Sequence, residues 1–152
     1  MASVNWAAAL RAAPADLVIT YDVGLEWGPH RDGRTVLKLR PDGSVNLENP
    51  AHGENKTYKG TLADGVFKAL VEAMIAAGFP NAPELGPLPP GETIRVLLIE
   101  SGGRKAVAEL SWHGTAKLPL WSAVFEMLDA MVRQVSGGGL LSYPDKRPGL
   151  LG

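Results

Sequence analysis

The chain has 152 residues, of which 45% are hydrophobic and 20% charged, and its formal net charge is −1 at pH 7. This composition is typical of a globular protein and excludes a largely disordered chain. The near-neutral charge provides no general attraction to nucleic acid or to an anionic membrane. The lack of cysteine excludes disulfides, thiolate catalysis and cysteine-ligated metals. We predict one domain over residues 1–139 and a flexible C-terminal tail over residues 140–152.

The first predicted elements are a short helix and a strand. The helix covers residues 4–12, with Ser3 as its N-cap. The strand covers residues 17–23 and alternates strictly, so that one side is entirely apolar. A long loop from residue 24 to residue 33 follows it.

A hairpin followed by an amphipathic helix comes next. Residues 35–40 pair with residues 44–48 across the turn Pro41-Asp42-Gly43, and residues 56–60 form a short fourth strand after a loop over residues 49–55. The following helix is predicted over residues 61–78, with Thr61 and Asp64 as a capping pair and Gly78 as the stop.

The same pattern then repeats after a proline-rich connector. Residues 93–100 pair with residues 105–112 across Ser101-Gly102-Gly103, and Trp112 is expected to fill the core at the strand end. The last helix is predicted over residues 118–137, with Pro119 in its first turn.

These elements predict an α+β fold. We expect an antiparallel sheet of about five to six strands with two long helices on one face, plus the short N-terminal helix. The opposite face is expected to be unusually apolar, so that either the N-terminal helix with Trp6 or a partner must cover it. Its expected residues are Val18, Val36, Leu97, Ile99 and Val107, with Arg34, Lys38, Arg40 and Arg95.

A basic stripe is the one charge pattern with a clear geometry. Arg34, Lys38 and Arg40 share strand parity and project from one face, with Arg31 close by. The stripe is suited to an acidic protein surface. Alternatively, it is a solvated sheet face that discourages edge aggregation.

The loop before the first hairpin offers two further hypotheses. Trp27 is the best recognition residue, because tryptophan buries a large area at interfaces; alternatively, it folds back over the sheet end. Glu26, His30 and Asp32 would form the site of a small-ligand binder or hydrolase if they converged. The sequence contains none of the common metal, serine-nucleophile or phosphate-loop motifs, so we predict no enzyme, no catalytic residues, no cofactor and no metal.

Several turn and cap signals lie between residues 17 and 135, among them Asp42-Gly43-Ser44-Val45 and Ala77-Gly78-Phe79. With these signals the segment resembles a family of small uncharacterised bacterial domains with a repeated hairpin–helix pattern. That family often carries cysteines in the first loop; their absence here removes any implied metal or redox role. The second half is also similar in topology to emfourin-type protein inhibitors of metalloproteases. The matching segments of the first resemblance are Leu37-Lys38-Leu39, Asp42-Gly43-Ser44-Val45, Tyr58-Lys59-Gly60 and Ala77-Gly78-Phe79.

Together these patterns predict a cytoplasmic, non-enzymatic protein-binding module of the inhibitor or immunity type. Its partner is another protein or a second copy of itself, as a homodimer, and neither nucleic acid nor a membrane is expected. The predicted contact residues are Trp27, His30, Arg31, Arg34, Lys38 and Arg40.

Overall fold

A computed structural model describes residues 5–25, 35–51, 54–83 and 93–137. The chain has the predicted α+β class, with a six-stranded antiparallel sheet and two long helices among its elements. In chain order these are α1 (Trp6–Ala12), β1 (Val18–Leu25), β2 (Thr35–Leu39), β3 (Ser44–Ala51), β4 (Glu54–Thr61), α2 (Val66–Ala77), β5 (Thr93–Ser101), β6 (Arg104–Ser111), α3 (Trp112–Thr115) and α4 (Pro119–Val135).

Strand β1 lies at the centre of the sheet, whose order is β4-β3-β2-β1-β5-β6. Its predicted alternation is confirmed, because Leu17, Ile19, Tyr21 and Val23 are all fully buried. They face the layer formed by α2 and α4, and we call this side of the sheet the helix face. The two hairpins therefore add to opposite edges of one buried strand.

The first hairpin pairs β2 with β3 in the predicted region, from Val36 with Glu48 to Leu39 with Val45. Its turn is closed by the Asp42 carboxylate, which accepts a hydrogen bond from the Ser44 amide at 2.8 Å. The prediction of a loop between residues 49 and 55 is wrong over most of its length. Strands β3 and β4 stay paired as far as Ala51 and Glu54. Backbone hydrogen bonds form without regard to side-chain type, so the pairing continues beyond the alternating apolar residues from which the strands were predicted.

Helix α2 begins later and ends where predicted. Thr61 is still part of β4, paired with Ser44, so the predicted capping pair is wrong. The N-cap is Gly65, which makes no side-chain cap bond. At the other end Gly78 adopts the left-handed conformation, with φ of +93°, as a glycine stop requires.

Helix α4 was predicted over residues 118–137 and is observed from Pro119 to Val135, with Leu118 as its N-cap; its predicted apolar stripe is confirmed, since most of it is buried. It crosses the sheet from one edge toward the other. The Phe125 ring lies 5.4 Å from that of Tyr21 in β1. Further along, Val135 lies 3.7 Å from where a Cβ on Gly60 in β4 would be.

Helix α1 packs beside α2. Asn5, not Ser3, is its N-cap and accepts a hydrogen bond from the Ala8 amide at 3.0 Å. Leu10 is buried in the core, and Arg11 pairs with Glu72 of α2 at 3.2 Å. The helix therefore lies on the helix face, and the idea that it covers the opposite face is wrong.

Strand β5 has the opposite parity to the one predicted. Leu97 and Ile99 are fully buried on the helix face, and Arg95 is buried with them. The sequence was ambiguous here because both sides of this strand are apolar; the outer side carries Val96 and Leu98 instead. Within the described residues, no helix is both long and apolar enough to cross a bilayer.

Candidate functional site

The side of the sheet away from the helices, which we call the open face, carries two of the predicted contact residues. Its central row crosses all six strands in the order Lys59, Asn46, Lys38, Thr20, Leu98 and Val107. None of the described helices packs on this side, and Lys38 and Arg40 are exposed.

The open face is divided into two halves of different chemistry. The half over β2, β3 and β4 holds a basic group, which we define as Lys38, Arg40 and Lys59. The half over β5 and β6 holds an apolar group, defined as Val96, Leu98 and Val107. Val107 has 49% of its surface exposed, so none of the described elements covers it. Apolar and cationic surfaces therefore lie side by side.

Thr20 lies between the two halves, with Lys38 beside it on β2 and Leu98 on β5. Its neighbours bury it to 7% exposure. Its hydroxyl has no hydrogen-bond partner among the described residues. A buried hydroxyl without a hydrogen-bond partner lowers the stability of the folded state. The centre of the open face therefore carries one polar group that does not contribute to stability.

The remaining predicted contact residues, Trp27, His30, Arg31 and Arg34, lie outside the described residues, as do Glu26 and Asp32 of the alternative ligand site. The strands that flank this segment are described. Thr35 pairs with Val23 on one side, and Leu25 pairs with Thr93 on the other. The described residues on either side of the segment, Leu25 and Thr35, therefore lie at the same end of the sheet.

A buried polar cluster on the helix face was not predicted. Arg95 Nη1 donates to the Tyr21 hydroxyl at 2.6 Å and to Asp129 Oδ2 at 3.2 Å. The Tyr21 hydroxyl in turn donates to Asp129 Oδ1 at 2.8 Å. Three elements, β1, β5 and α4, thus converge on one closed triangle of hydrogen bonds, which we call the Arg95 triad.

Aromatic rings surround this triad. The Arg95 guanidinium lies 3.6 Å from the centre of the Trp112 ring and 4.9 Å from that of Phe125. Such contacts between a cation and aromatic rings are attractive and strengthen when water is excluded. Burial, reinforced by the Asp129 carboxylate, raises the pKa of the Tyr21 hydroxyl well above its ordinary value, so the phenol stays protonated.

A cavity of about 270 Å³ opens beside Arg95, between α3 and the first turns of α4. Two hydrogen bonds fix α3 and the first turn of α4 beside this cavity. The Ser122 hydroxyl donates to the Thr115 carbonyl at 2.8 Å, and the Thr115 hydroxyl donates to the Ser111 carbonyl at 2.7 Å. The lining residues are Arg95, Trp112, His113, Thr115, Ala116, Ser122 and Glu126.

A larger cavity of about 560 Å³ lies between α1 and the start of α2. Its floor is apolar, with Leu10, Phe67 and Val71. Two of its charged residues, Arg11 and Glu72, already satisfy each other through hydrogen bonds of 3.2 Å.

One sequence signal could have revealed the triad. Asp129 follows Trp121 and Phe125 at intervals of four residues, and residues four apart share one face of a helix. An aspartate on an otherwise apolar stripe needs a buried partner. Among the described residues, the buried cation that matches this charge is Arg95, which lies inside an apolar strand.

The sequence matches no protein-family model, and comparison with curated proteins found no match either. The resemblances noted above therefore remain predictions, and the function is argued from this chain's own residues.

Proposed function

We propose that this protein is a non-enzymatic binding module that recognises another protein through its open face. The observation that carries this proposal is the apolar group, in which Val107 is exposed and Val96 and Leu98 are half-buried with no described helix over them, beside the basic group. Exposed apolar surface rimmed by charge is the usual composition of a protein interaction site.

The size of the face supports the proposal. Six strands spaced about 4.8 Å apart, with eight residues rising about 3.3 Å each as in β1, give a face of roughly 24 by 26 Å. A standard interface uses about 800 Å² of surface on each partner. Since side chains roughen the face and enlarge its accessible area, it is large enough for one specific partner.

The charge pattern supports an acidic partner. Lys38, Arg40 and Lys59 supply three exposed cations on one half, and the partner would complement them with carboxylates beside an apolar patch. Nucleic acid fits less well, because the chain's net charge is −1 and the described open face presents no aromatic side chain for base stacking.

The segment that leaves this sheet between Leu25 and Thr35 would extend the contact. Within it we propose Trp27, His30, Arg31 and Arg34 as further contact residues, since the described residues on either side of it, Leu25 and Thr35, lie at the same end of the sheet. A module of this kind masks a partner's surface, as an inhibitor or immunity protein does, and we place this interaction in the cytoplasm.

The test begins with chemical cross-linking in the native lysate, followed by calorimetry with the purified partner. Reversing the basic group with Lys38→Glu, Arg40→Glu and Lys59→Glu should weaken binding at least about tenfold and reduce its salt dependence. The matched control reverses three exposed cations on the helix side, Lys68, Lys117 and Arg133, and should leave affinity unchanged.

A second variant tests the apolar half separately. Leu98→Asp should weaken the same complex, because it places an unpaired charge in the centre of the interface. Equal loss in the basic variant and in its control would contradict the proposed surface. A mass that rises with concentration in sedimentation equilibrium, abolished by Leu98→Asp, would instead identify the partner as a second copy of the chain.

A further inference from the structure

Strand β6 forms one edge of the sheet, and no described strand lies on its outer side. It runs for eight residues, from Arg104 to Ser111, and pairs with β5 in one unbroken register. It contains no proline and no bulge, which are two of the devices that keep an edge strand from pairing with another chain. An edge strand presents a row of backbone N–H and C=O groups, so β6 offers its outer side to a further strand.

The side chains of β6 on the open face form a symmetric pattern. Val107 is 49% exposed, and Lys105 and Glu109 lie two residues before and after it. The Lys105 side chain is 71% exposed and lies 4.0 Å from Glu100 on β5, at the limit of an ion pair. Glu109 is exposed, and its neighbour on β5 is the apolar Val96. A cation and an anion therefore flank an exposed valine at equal spacing along the strand, and both retain room for a further partner.

A second copy of β6, running antiparallel, complements this pattern. When the two-fold axis passes through Val107, Lys105 of each copy lies opposite Glu109 of the other. Directly opposite side chains have Cβ atoms about 4.5–5.5 Å apart, within reach of an ion pair. Symmetry forms both ion pairs at once, and it brings the two exposed valines together at the centre.

Other registers lose this complementarity. Directly opposite residues in an antiparallel pair place their side chains on the same face, so the axis passes through a residue and never between two. Moving the axis to Ala106 or Ala108 places a charged residue opposite Val107. Moving it by two residues sets Lys105 against Lys105, or Glu109 against Glu109, and like charges directly opposite each other are destabilising. The charges of β6 therefore select one register.

From this pattern we propose that two copies of the chain pair edge to edge through β6, antiparallel and centred on Val107, so that their sheets become continuous. The contact is isologous and occupies the β6 edge of both copies, so assembly ends at the dimer. It goes beyond the proposed function, because a partner bound to the open face lies over the sheet, whereas this contact lies at its edge. A contact one strand wide is small, so we expect a dissociation constant on the order of 50 µM. The dilute solutions in which unfolding is measured therefore hold mainly monomers.

The test is sedimentation equilibrium of the full chain from about 1 to 500 µM, a range that brackets this constant. We expect the mass to rise from that of one chain toward that of two and no further. Lys105→Glu places like charges opposite each other at both ends of the contact, and Glu109→Lys does the same with the opposite sign. Each change alone should weaken the dimer at least about tenfold.

An equimolar mixture of these two variants tests the register directly. One chain then carries two carboxylates and the other two ammonium groups, so every charged pair across the contact is complementary again. We expect the mixture to dimerise about as tightly as the wild type. The matched control makes the same two charge changes on the helix side, as Lys68→Glu and Glu126→Lys, and each control variant alone should dimerise like the wild type.

Three results would overturn the proposal: a monomer at every concentration, single variants that dimerise like the wild type, or a mixture that stays monomeric. Leu98→Asp separates it from the proposed function, because Leu98 lies on β5, one strand in from the edge. The edge dimer should survive this change. A dimer that only Leu98→Asp abolishes would place the contact on the open face and contradict edge pairing, whereas a chain that dimerises as expected but yields no cross-linked partner counts against the proposed function alone.

Discussion

Arg95 and Asp129, 34 residues apart in the chain, form an ion pair of 3.2 Å whose side chains are only 8% and 17% exposed. The pair connects the second hairpin to the last helix, and the Tyr21 hydroxyl connects both to the central strand. Removing two charges from water costs nearly as much as their attraction returns, so such pairs contribute more to a unique arrangement than to stability. We interpret the triad as the device that fixes α4 on the sheet.

Removing only the hydroxyl should be costly. Tyr21→Phe leaves Arg95 and Asp129 each without one hydrogen bond, and bonds to charged groups contribute about 1.5–3 kcal/mol. We expect the free energy of unfolding, measured with urea, to fall by about 2 kcal/mol. Tyr58→Phe, at a half-buried position on β4, is the matched control and should change it by less than about 0.5 kcal/mol. Equal losses would show that the hydroxyl bonds in the triad are not special.

Removing both charges together should cost less than the sum of the costs of removing each one alone. Asp129→Ala strands the buried Arg95 guanidinium, for which we expect a loss of about 3 kcal/mol. The double variant with Arg95→Met and Asp129→Ala should lose less than the sum of the single changes by about 1–3 kcal/mol. Strict additivity in this double-mutant cycle, followed by urea unfolding, would contradict an energetically coupled pair.

The triad also predicts a specific alkaline sensitivity. The folded state raises the pKa of Tyr21 above its ordinary value of 10.0, because burial and Asp129 disfavour the phenolate. Its contribution is therefore complete below pH 10, and it is lost as pH rises from there toward the folded pKa. Unfolding free energies of the wild type and of Tyr21→Phe should converge above pH 10. Parallel curves would exclude this linkage.

At the turn between β5 and β6 we expect stability to be lost at low pH instead of at high pH. The Gly102 amide donates to Asp16 at 2.7 Å and the Ser101 hydroxyl at 3.0 Å, and these bonds lower the pKa of Asp16 below 3.8. Asp16→Asn should therefore destabilise the protein at neutral pH, and the difference from wild type should vanish as pH falls below 3.8. Glu109→Gln is the control for loss of one negative charge. A difference that persists in acid would argue against the hydrogen-bonded carboxylate.

Some of the fold was predictable because the signals are local. Strand β1 alternates strictly and has only one fully apolar side. Gly78 ends α2 because glycine, which lacks a Cβ, adopts its φ of +93° without strain. The stripe of α4 repeats at helical spacing and was assigned correctly to the core. The position of Lys38 and Arg40 on the open face was predictable from β2. In this strand Leu37 and Leu39 are buried on one side, so the residues between them must face the other side.

By itself the sequence therefore determined the six strands, the helices α1, α2 and α4, the α+β class and the inner side of each strand with one apolar face. The short helix α3, which begins at Trp112 where the last strand was expected to end, was not predicted. The tertiary structure alone decided that β1 lies between the two hairpins and that Arg95 faces inward. Strand β5 is apolar on both sides, so its own residues cannot select an orientation. That choice depends on Asp129 and Tyr21, which come close to Arg95 only after α4 has packed across the sheet and water has been excluded from the charges.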